Sequence, residues 1–151
     1  MAIGNDSLIR STGFDCLRIF LLWEDFQPHP GYVSNQAIAR LVTVADIAAA
    51  ESLALIPTFF TGHMSGVNWI PPWALTGAGV PQRFRIVSNN KVVEAKPRNW
   101  YTDQKVLSAQ TILAGEVADA LQSHKTFGPG TSVTRTPTVL CLRTTTPRWS
   151  G

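Results

Sequence analysis

The chain has 151 residues, 44% hydrophobic and 15% charged, which is one ordinary domain's length, apolar enough for a core, and poorer in charge than the ~25% of a typical soluble domain. A disordered tail is therefore excluded as a reading of the whole. The formal charge of +3 belongs to one end: all ten Asp and Glu and ten of the thirteen Lys and Arg precede residue 126, after which only Arg135, Arg143 and Arg148 remain, so no folded basic face results and no nucleic-acid partner is expected.

No apolar run reaches the ~18 residues of a membrane span, and the start MAIGNDSLIR has no apolar core of a secretory signal. Neither a membrane nor export is expected, and the cytoplasm is the default compartment. Cys16 sits in an apolar segment and Cys141 near the end, which makes neither a disulfide framework nor a CxxC metal pair.

The first element is the run CLRIFLLW from Cys16, preceded by Gly13 and Asp15 and followed by Pro28 and Pro30. Such a run predicts a strand buried on both faces, as in parallel sheets. From Asn35 the period changes to that of a helix, with Ile38, Leu41, Val42, Ala45, Ala48 and Ala49 on one face and Ser34 or Asn35 as N-cap. A second apolar run, Leu53 to Phe60, is the next strand. Strand, helix and strand in that order form a βαβ unit.

Between His63 and Tyr101 the periodicity dissolves into Gly66, Gly77, Gly79, paired and single prolines, and Trp69, Trp73 and Trp100. A structureless loop of that length is uncommon and usually functional. Thr102 or Asp103 then caps a helix whose face carries Val106, Ala109, Leu113, Val117, Ala120 and Leu121, ending near Ser123. Alternation calls for a third parallel strand next. Composition shifts instead at Lys125: of the last 26 residues eight are Thr, three Pro and three Arg, and only Thr138 to Leu142 resembles a strand.

Leu17 to Pro28 (LRIFLLWEDFQP), Ile56 to Trp73 (IPTFFTGHMSGVNWIPPW) and Arg98 to Gln110 (RNWYTDQKVLSAQ) form an ordered set. That set resembles the second and third strands of clan A glycoside hydrolases, nearest to the family-five cellulase, mannanase and β-mannosidase-like enzymes. The resemblance covers residues 7–125 and implies an α/β fold, a partial (β/α)8 TIM barrel. Residues 1–125 would be an N-terminal portion of the hydrolase domain, and 126–151 a non-native or disordered tail. The implied activity is hydrolysis of O-glycosyl bonds in β-linked sugars, mannosides or glucosides, by a retaining two-carboxylate mechanism without metal or cofactor. The implied partner is a carbohydrate; sugar identity, endo or exo mode and oligomeric state stay open.

In that family the fourth strand ends in an Asn-Glu pair whose Glu is the acid/base, and the nucleophile Glu lies on strand seven. This sequence has no Asn-Glu pair, and its last acidic residue is Asp119. A complete barrel of this kind takes around 250 residues. The chain itself is therefore expected to be inactive. The tail suggests how the pair was lost. Read in the alternate codon register, residues 126–135 can spell I-W-A-W-D-L-G-N-E: the GG that opens the codons of Gly128 and Gly130 yields two Trp, and Arg135, as AGA or AGG, completes Glu. A frameshift near Lys125 is the expectation.

The remaining residues supply a supporting shell. On the family pattern Arg18 helps hold the nucleophile carboxylate, a task suited to a guanidinium fork, while its structural alternative is a buried Arg paired with a core acid. His63, past the second strand, can bond a sugar hydroxyl or a carboxylate, or serve as a loop residue. Trp23, Trp69, Trp73 and Trp100 are candidates for stacking on pyranose rings, with Trp69 first, while Trp69, Trp73 and Trp100 could each equally be packing that pins the long loop. Glu24 and Asp25, taken as adjacent strand residues, point to opposite faces and make a poor catalytic couple. His29, His63 and His124 lack zinc-ligand spacing, and no P-loop, GxGxxG, HExxH or GxSxG occurs. The rival reading is a non-catalytic β/α module that holds a carbohydrate or protein through the Trp-rich loop 64–101.

Overall fold

The computed structural model describes residues 11–122 and the backbone of 131–136 and 139–144. Strand β1 (Cys16–Phe20) leads into a single helical turn, α1 (Trp23–Phe26), and then α2 (Asn35–Ala50) and β2 (Ala54–Thr58). β1 and β2 pair in parallel, with Arg18 opposite Ile56 and Phe20 opposite Thr58. The expected βαβ unit is present. Ser34 caps α2, its side chain accepting from the Ala37 N–H at 3.3 Å, and Ala37, Leu41, Ala45 and Ala48 form the buried stripe.

β1 departs from expectation. It is not buried on both faces: Leu17 and Ile19 pack against the core, whereas Cys16, Arg18 and Phe20 are exposed. A strand reads as continuously apolar when both faces are to be covered, and here only the helix-facing side is.

The segment between β2 and the next long helix is structured rather than a loop. Two hairpins, β3 (His63–Met64) with β4 (Val67–Trp69) and β6 (Ile86–Ser88) with β7 (Lys91–Val93), join through parallel pairing of β4 and β6. A further pair, β5 (Leu75–Ala78) and β8 (Ala95–Pro97), follows the 3-10 turn Pro72–Ala74. Both hairpins turn on residues with left-handed backbone: Ser65 and Gly66 (φ 56° and 79°), and Asn89 and Asn90 (φ 51° and 57°). Positive φ at both central residues is the geometry that matches the twist of a two-residue hairpin.

Helix α3 (Gln104–Gln122) closes the core. Asp103 caps it, its carboxylate accepting from the N–H groups of Lys105 and Val106 at 2.9 and 3.3 Å. Val106, Ala109, Leu113, Val117, Ala118 and Leu121 are buried; Ala118, not the predicted Ala120, completes the stripe. Each fully buried Leu or Val contributes roughly 1.5–3 kcal/mol. The core lies between this helix, α2 and the helix-facing side of β1 and β2, and takes in Trp23, Phe59 and Phe60.

Residues 123–130, 137–138 and 145–151 lie outside the described residues, and with them just over half of the stretch 126–151 expected to be out of frame. Two strands within it are described, β9 (Thr131–Thr136) and β10 (Val139–Thr144). β10 overlaps the one segment the sequence marked as strand; β9 was not foreseen. β10 runs antiparallel to β2, so the sheet order is β1-β2-β10-β9. Its pairing touches β2 at Leu55 and Thr58. Pro57, which has no N–H to give, sits between those two positions. Among the described residues the sheet is not closed into a barrel.

Candidate functional site

Parallel α/β barrels place their sites at the C-terminal ends of strands. Here a cleft of about 740 Å³ opens at that end of β1 and β2. Its polar groups are Arg18, Thr58, Thr61, His63, Asn68 and Gln110, and its aromatic walls are Phe20, Phe59, Phe60, Trp100 and Tyr101. Donors and acceptors set among aromatic faces suit a polyhydroxylated ring, which has polar edges and apolar C–H faces.

Arg18 reaches the cleft because it alternates away from Leu17 and Ile19 on β1. Its Nε donates to Thr58 Oγ1 at 2.8 Å, and its guanidinium stands 5.0 Å from the centre of the Phe20 ring. It is exposed, and among the described residues no carboxylate pairs with it. The alternative of a buried Arg matched to a core acid is thereby corrected. His63 is also exposed; its Nδ1 lies 2.8 Å from Asn68 Oδ1, and its ring packs 4.6 Å from that of Phe84.

The four candidate tryptophans separate. Trp100 lines the cleft. Trp23 is only 1% exposed, and its indole meets Phe60, Trp73 and Trp100 edge-on at 4.9, 5.1 and 5.0 Å. No face remains for a sugar, so the expected substrate contact by Trp23 is corrected to a core role. Its indole N–H donates to Gln27 Oε1 at 2.7 Å. Trp73 packs between the main core and the small-sheet core, its N–H donating to the Gln27 carbonyl at 2.9 Å. Trp69 follows Asn68 on β4, and alternation turns it from the cleft; its N–H donates to the Met64 carbonyl at 3.3 Å.

Glu24 and Asp25 are in the helical turn α1, not at a strand end, so alternation does not govern them. Glu24 accepts the Asn89 N–H at 2.7 Å, and burial holds its carboxyl above the ordinary value, against the pull of that hydrogen bond. Asp25 is exposed. Neither lines the cleft.

Several positions that shape the surroundings of the cleft escaped sequence reasoning. Gln27 is fully buried, its amide donating to the carbonyls of Pro30 and Ala109 at 2.9 and 2.8 Å while its oxygen takes the Trp23 N–H. The Trp23/Gln27 spacing of four is a signal only once a helical turn is suspected. Gly62 allows Trp100 to lie against the chain, since a Cβ there would overlap the Cη2 of that ring. Phe60 holds a left-handed φ of 51°, a conformation that costs a bulky residue about 1–3 kcal/mol and is kept here by its contact with Trp23. Asn68 was foreseeable: a two-residue turn at Ser65-Gly66 puts it opposite His63.

Among the described residues no three His, Cys, Asp or Glu converge as a metal site, and no helix is long and apolar enough to cross a membrane.

No protein-family model and no curated protein matches the chain. Solved structures do. The GH5_18 protein of Streptomyces cattleya in complex with GlcNAc is 26% identical, with a TM-score of 0.64, over 83% of this chain and 26% of that one. A GH5_18 variant from Bifidobacterium longum subsp. longum in complex with Manβ1-4GlcNAc is 25% identical, with a TM-score of 0.63, over 83% of this chain and 26% of that one. An exo-β-1,4-mannosidase from Opitutaceae bacterium strain TAV5 is 25% identical, with a TM-score of 0.60, over 80% of this chain and 18% of that one. This chain thus spans about a fifth to a quarter of their lengths. These structures are family-five glycoside hydrolases with TIM barrels, and the chain carries part of a family-five-like, clan A α/β fold.

Proposed function

We propose that this chain forms a carbohydrate-binding portion of a family-five-type glycoside hydrolase barrel and that, by itself, it holds a β-linked sugar without cleaving it. The cleft carries this reading. Arg18, His63, Asn68 and Gln110 offer both donors and acceptors, and Phe20, Trp100 and Tyr101 offer ring faces. Retaining hydrolysis takes two carboxyl groups about 5–5.5 Å apart, one as nucleophile and one as acid then base. Among the described residues none that lines the cleft is Asp or Glu, and the sequence contains no Asn-Glu pair. The residues present can orient a sugar and shield it from water; the bond-breaking pair would have to come from elsewhere in a full barrel.

Mannosyl or glucosyl β-linked substrates are the class we assign to that full barrel; the Manβ1-4GlcNAc held in one similar structure supports the mannosyl choice. The proposal extends to the tail, taken as an out-of-frame translation in place of strand four. Its support is the composition break, the missing motif, the motif recoverable from the alternate register, and an antiparallel strand beside β2 where a (β/α)8 barrel has a parallel one.

Titration calorimetry with Manβ1-4GlcNAc, beside an aryl β-mannoside turnover assay, tests the binding claim. Saturable binding without turnover is the expected result. Turnover by a pure, sequence-verified preparation overturns the inactivity, and no heat on titration overturns the binding. For the tail, the coding sequence decides: a CGN codon at Arg135 forbids the shifted reading.

A further inference from the structure

Resting on the carbohydrate reading of the cleft, we propose that Asn68 is a positioning residue that fixes the tautomer of His63, placing its proton on Nδ1 and leaving Nε2 as a hydrogen-bond acceptor for a sugar hydroxyl. The β3–β4 hairpin puts His63 and Asn68 directly opposite each other. Cross-strand partners of this kind sit close enough for their side chains to bond. The amide oxygen of Asn68 lies 2.8 Å from Nδ1, and an amide oxygen can only accept. With the amide oxygen on this side, Nδ1 carries the hydrogen, which in a neutral imidazole leaves Nε2 without one. The ring is also packed against Phe84 at 4.6 Å, so the bond and the ring contact together restrict its rotation.

The consequence is chemical. Of the other polar groups around the cleft, the Arg18 guanidinium only donates, the Thr58 hydroxyl already accepts from it, and Gln110 brings an amide oxygen as a further acceptor. Every sugar hydroxyl brings one hydrogen that must find an acceptor when it is desolvated. A His63 with a bare Nε2 supplies one, and a His63 of the opposite tautomer adds a donor instead. Asn68 thus decides whether His63 accepts a hydrogen bond from a sugar hydroxyl or donates one to it.

Long-range proton–nitrogen correlation spectra of the full chain at neutral pH read the tautomer directly. In the wild type, Nε2, the nitrogen coupled to both carbon-bound ring protons, is expected at the unprotonated, pyridine-like shift. Asn68→Leu removes the acceptor and should move the ring towards the Nε2–H form that free imidazole side chains favour in water. Asn68→Asp keeps an acceptor and should retain Nδ1–H, which controls for damage to the hairpin. A wild-type ring protonated on Nε2, or a tautomer unchanged in Asn68→Leu, overturns the proposal. Added Manβ1-4GlcNAc should shift Nε2 upfield in the wild type and bind Asn68→Leu roughly two- to tenfold more weakly, one hydrogen bond's worth. If the disaccharide moves no cleft resonance in a chain with the expected tautomer, the carbohydrate reading fails while the tautomer assignment stands.

Discussion

Two aromatic clusters lie side by side in this molecule, and they are built from the same residue types to opposite ends. Around Trp23, three rings meet its indole edge-on, and the one polar side chain admitted, Gln27, has its amide nitrogen and oxygen both engaged. Around His63, the rings of Phe20 and Tyr101 stay 48% and 86% exposed, and the Arg18 guanidinium has, among the described residues, one neutral side-chain hydrogen-bond partner, Thr58. Satisfaction separates the two. A buried polar group left unpaired costs about 1–3 kcal/mol, so the hub closes its hydrogen bonds internally. The cleft leaves capacity open, and open capacity is what a ligand can use. Trp100 belongs to both, one edge on Trp23 and another part of the ring on the cleft wall.

Substitutions can break this contrast, beginning in the hub. Trp23→Ala should cost about 3–5 kcal/mol, the range for deleting a large buried aromatic side chain, and it also leaves Gln27 Oε1 without its donor. Chemical denaturation would show it; a loss under 1 kcal/mol would mean that the hub does not hold the core. At the shared wall, Gly62→Ala pushes a methyl group into the Trp100 ring. Overpacking of that kind costs about 1–3 kcal/mol. Because the ring is common to both clusters, melting temperature and sugar affinity should fall together, and a change in one alone would separate them.

Glu24 gives a smaller, pH-dependent effect. Burial raises its folded pKa above the ordinary 4.5, so the folded chain takes up this proton before the unfolded chain does as pH falls. Its contribution to stability is therefore largest below 4.5 and declines as pH rises through the folded pKa. The melting temperature of Glu24→Gln minus that of the wild type should grow over that interval on going to neutral pH, and a flat difference would refute the assignment. Smallest in stability is Tyr101→Ala. At 86% exposure it should alter unfolding by no more than about 0.5 kcal/mol, yet it should weaken sugar binding if the lip of the cleft takes part.

How far the sequence discloses these two clusters follows from how each is built. The helices α2 and α3 announce themselves through apolar spacing, and their caps, Ser34 and Asp103, through residue type. Buried stripes are periodic, so they are legible, and the slip from Ala118 to Ala120 stays within one turn. The order of β1, α2 and β2 together with the RIF, TGH and RNW phrases was enough to indicate the family-five likeness that the solved structures bear out. Irregular structure obeys no period. The small sheets between β2 and α3 are held by turn geometry at Ser65-Gly66 and Asn89-Asn90 and by long-range bonds such as Trp73 to Gln27, 46 residues apart. Such bonds leave no trace in local spacing. Tryptophan misleads for a related reason: its size and its N–H suit a buried hub as well as a sugar platform. Only the fold assigns Trp23 and Trp73 to packing and Trp100 to the cleft.

The bond between Glu24 and the tip of the β6–β7 hairpin has a consequence in exchange kinetics. A hairpin tip is ordinarily where backbone amides trade hydrogen with solvent fastest, since they have no partner across the ladder. The Asn89 amide is instead held at 2.7 Å by a carboxylate from α1, 65 residues earlier in the chain. Its protection against deuterium therefore reports one event, the lifting of the small sheet away from the βαβ unit, and its Asn90 neighbour in the same turn provides the internal reference. A single slow amide at an exposed tip becomes a gauge of how often that wall of the molecule comes loose.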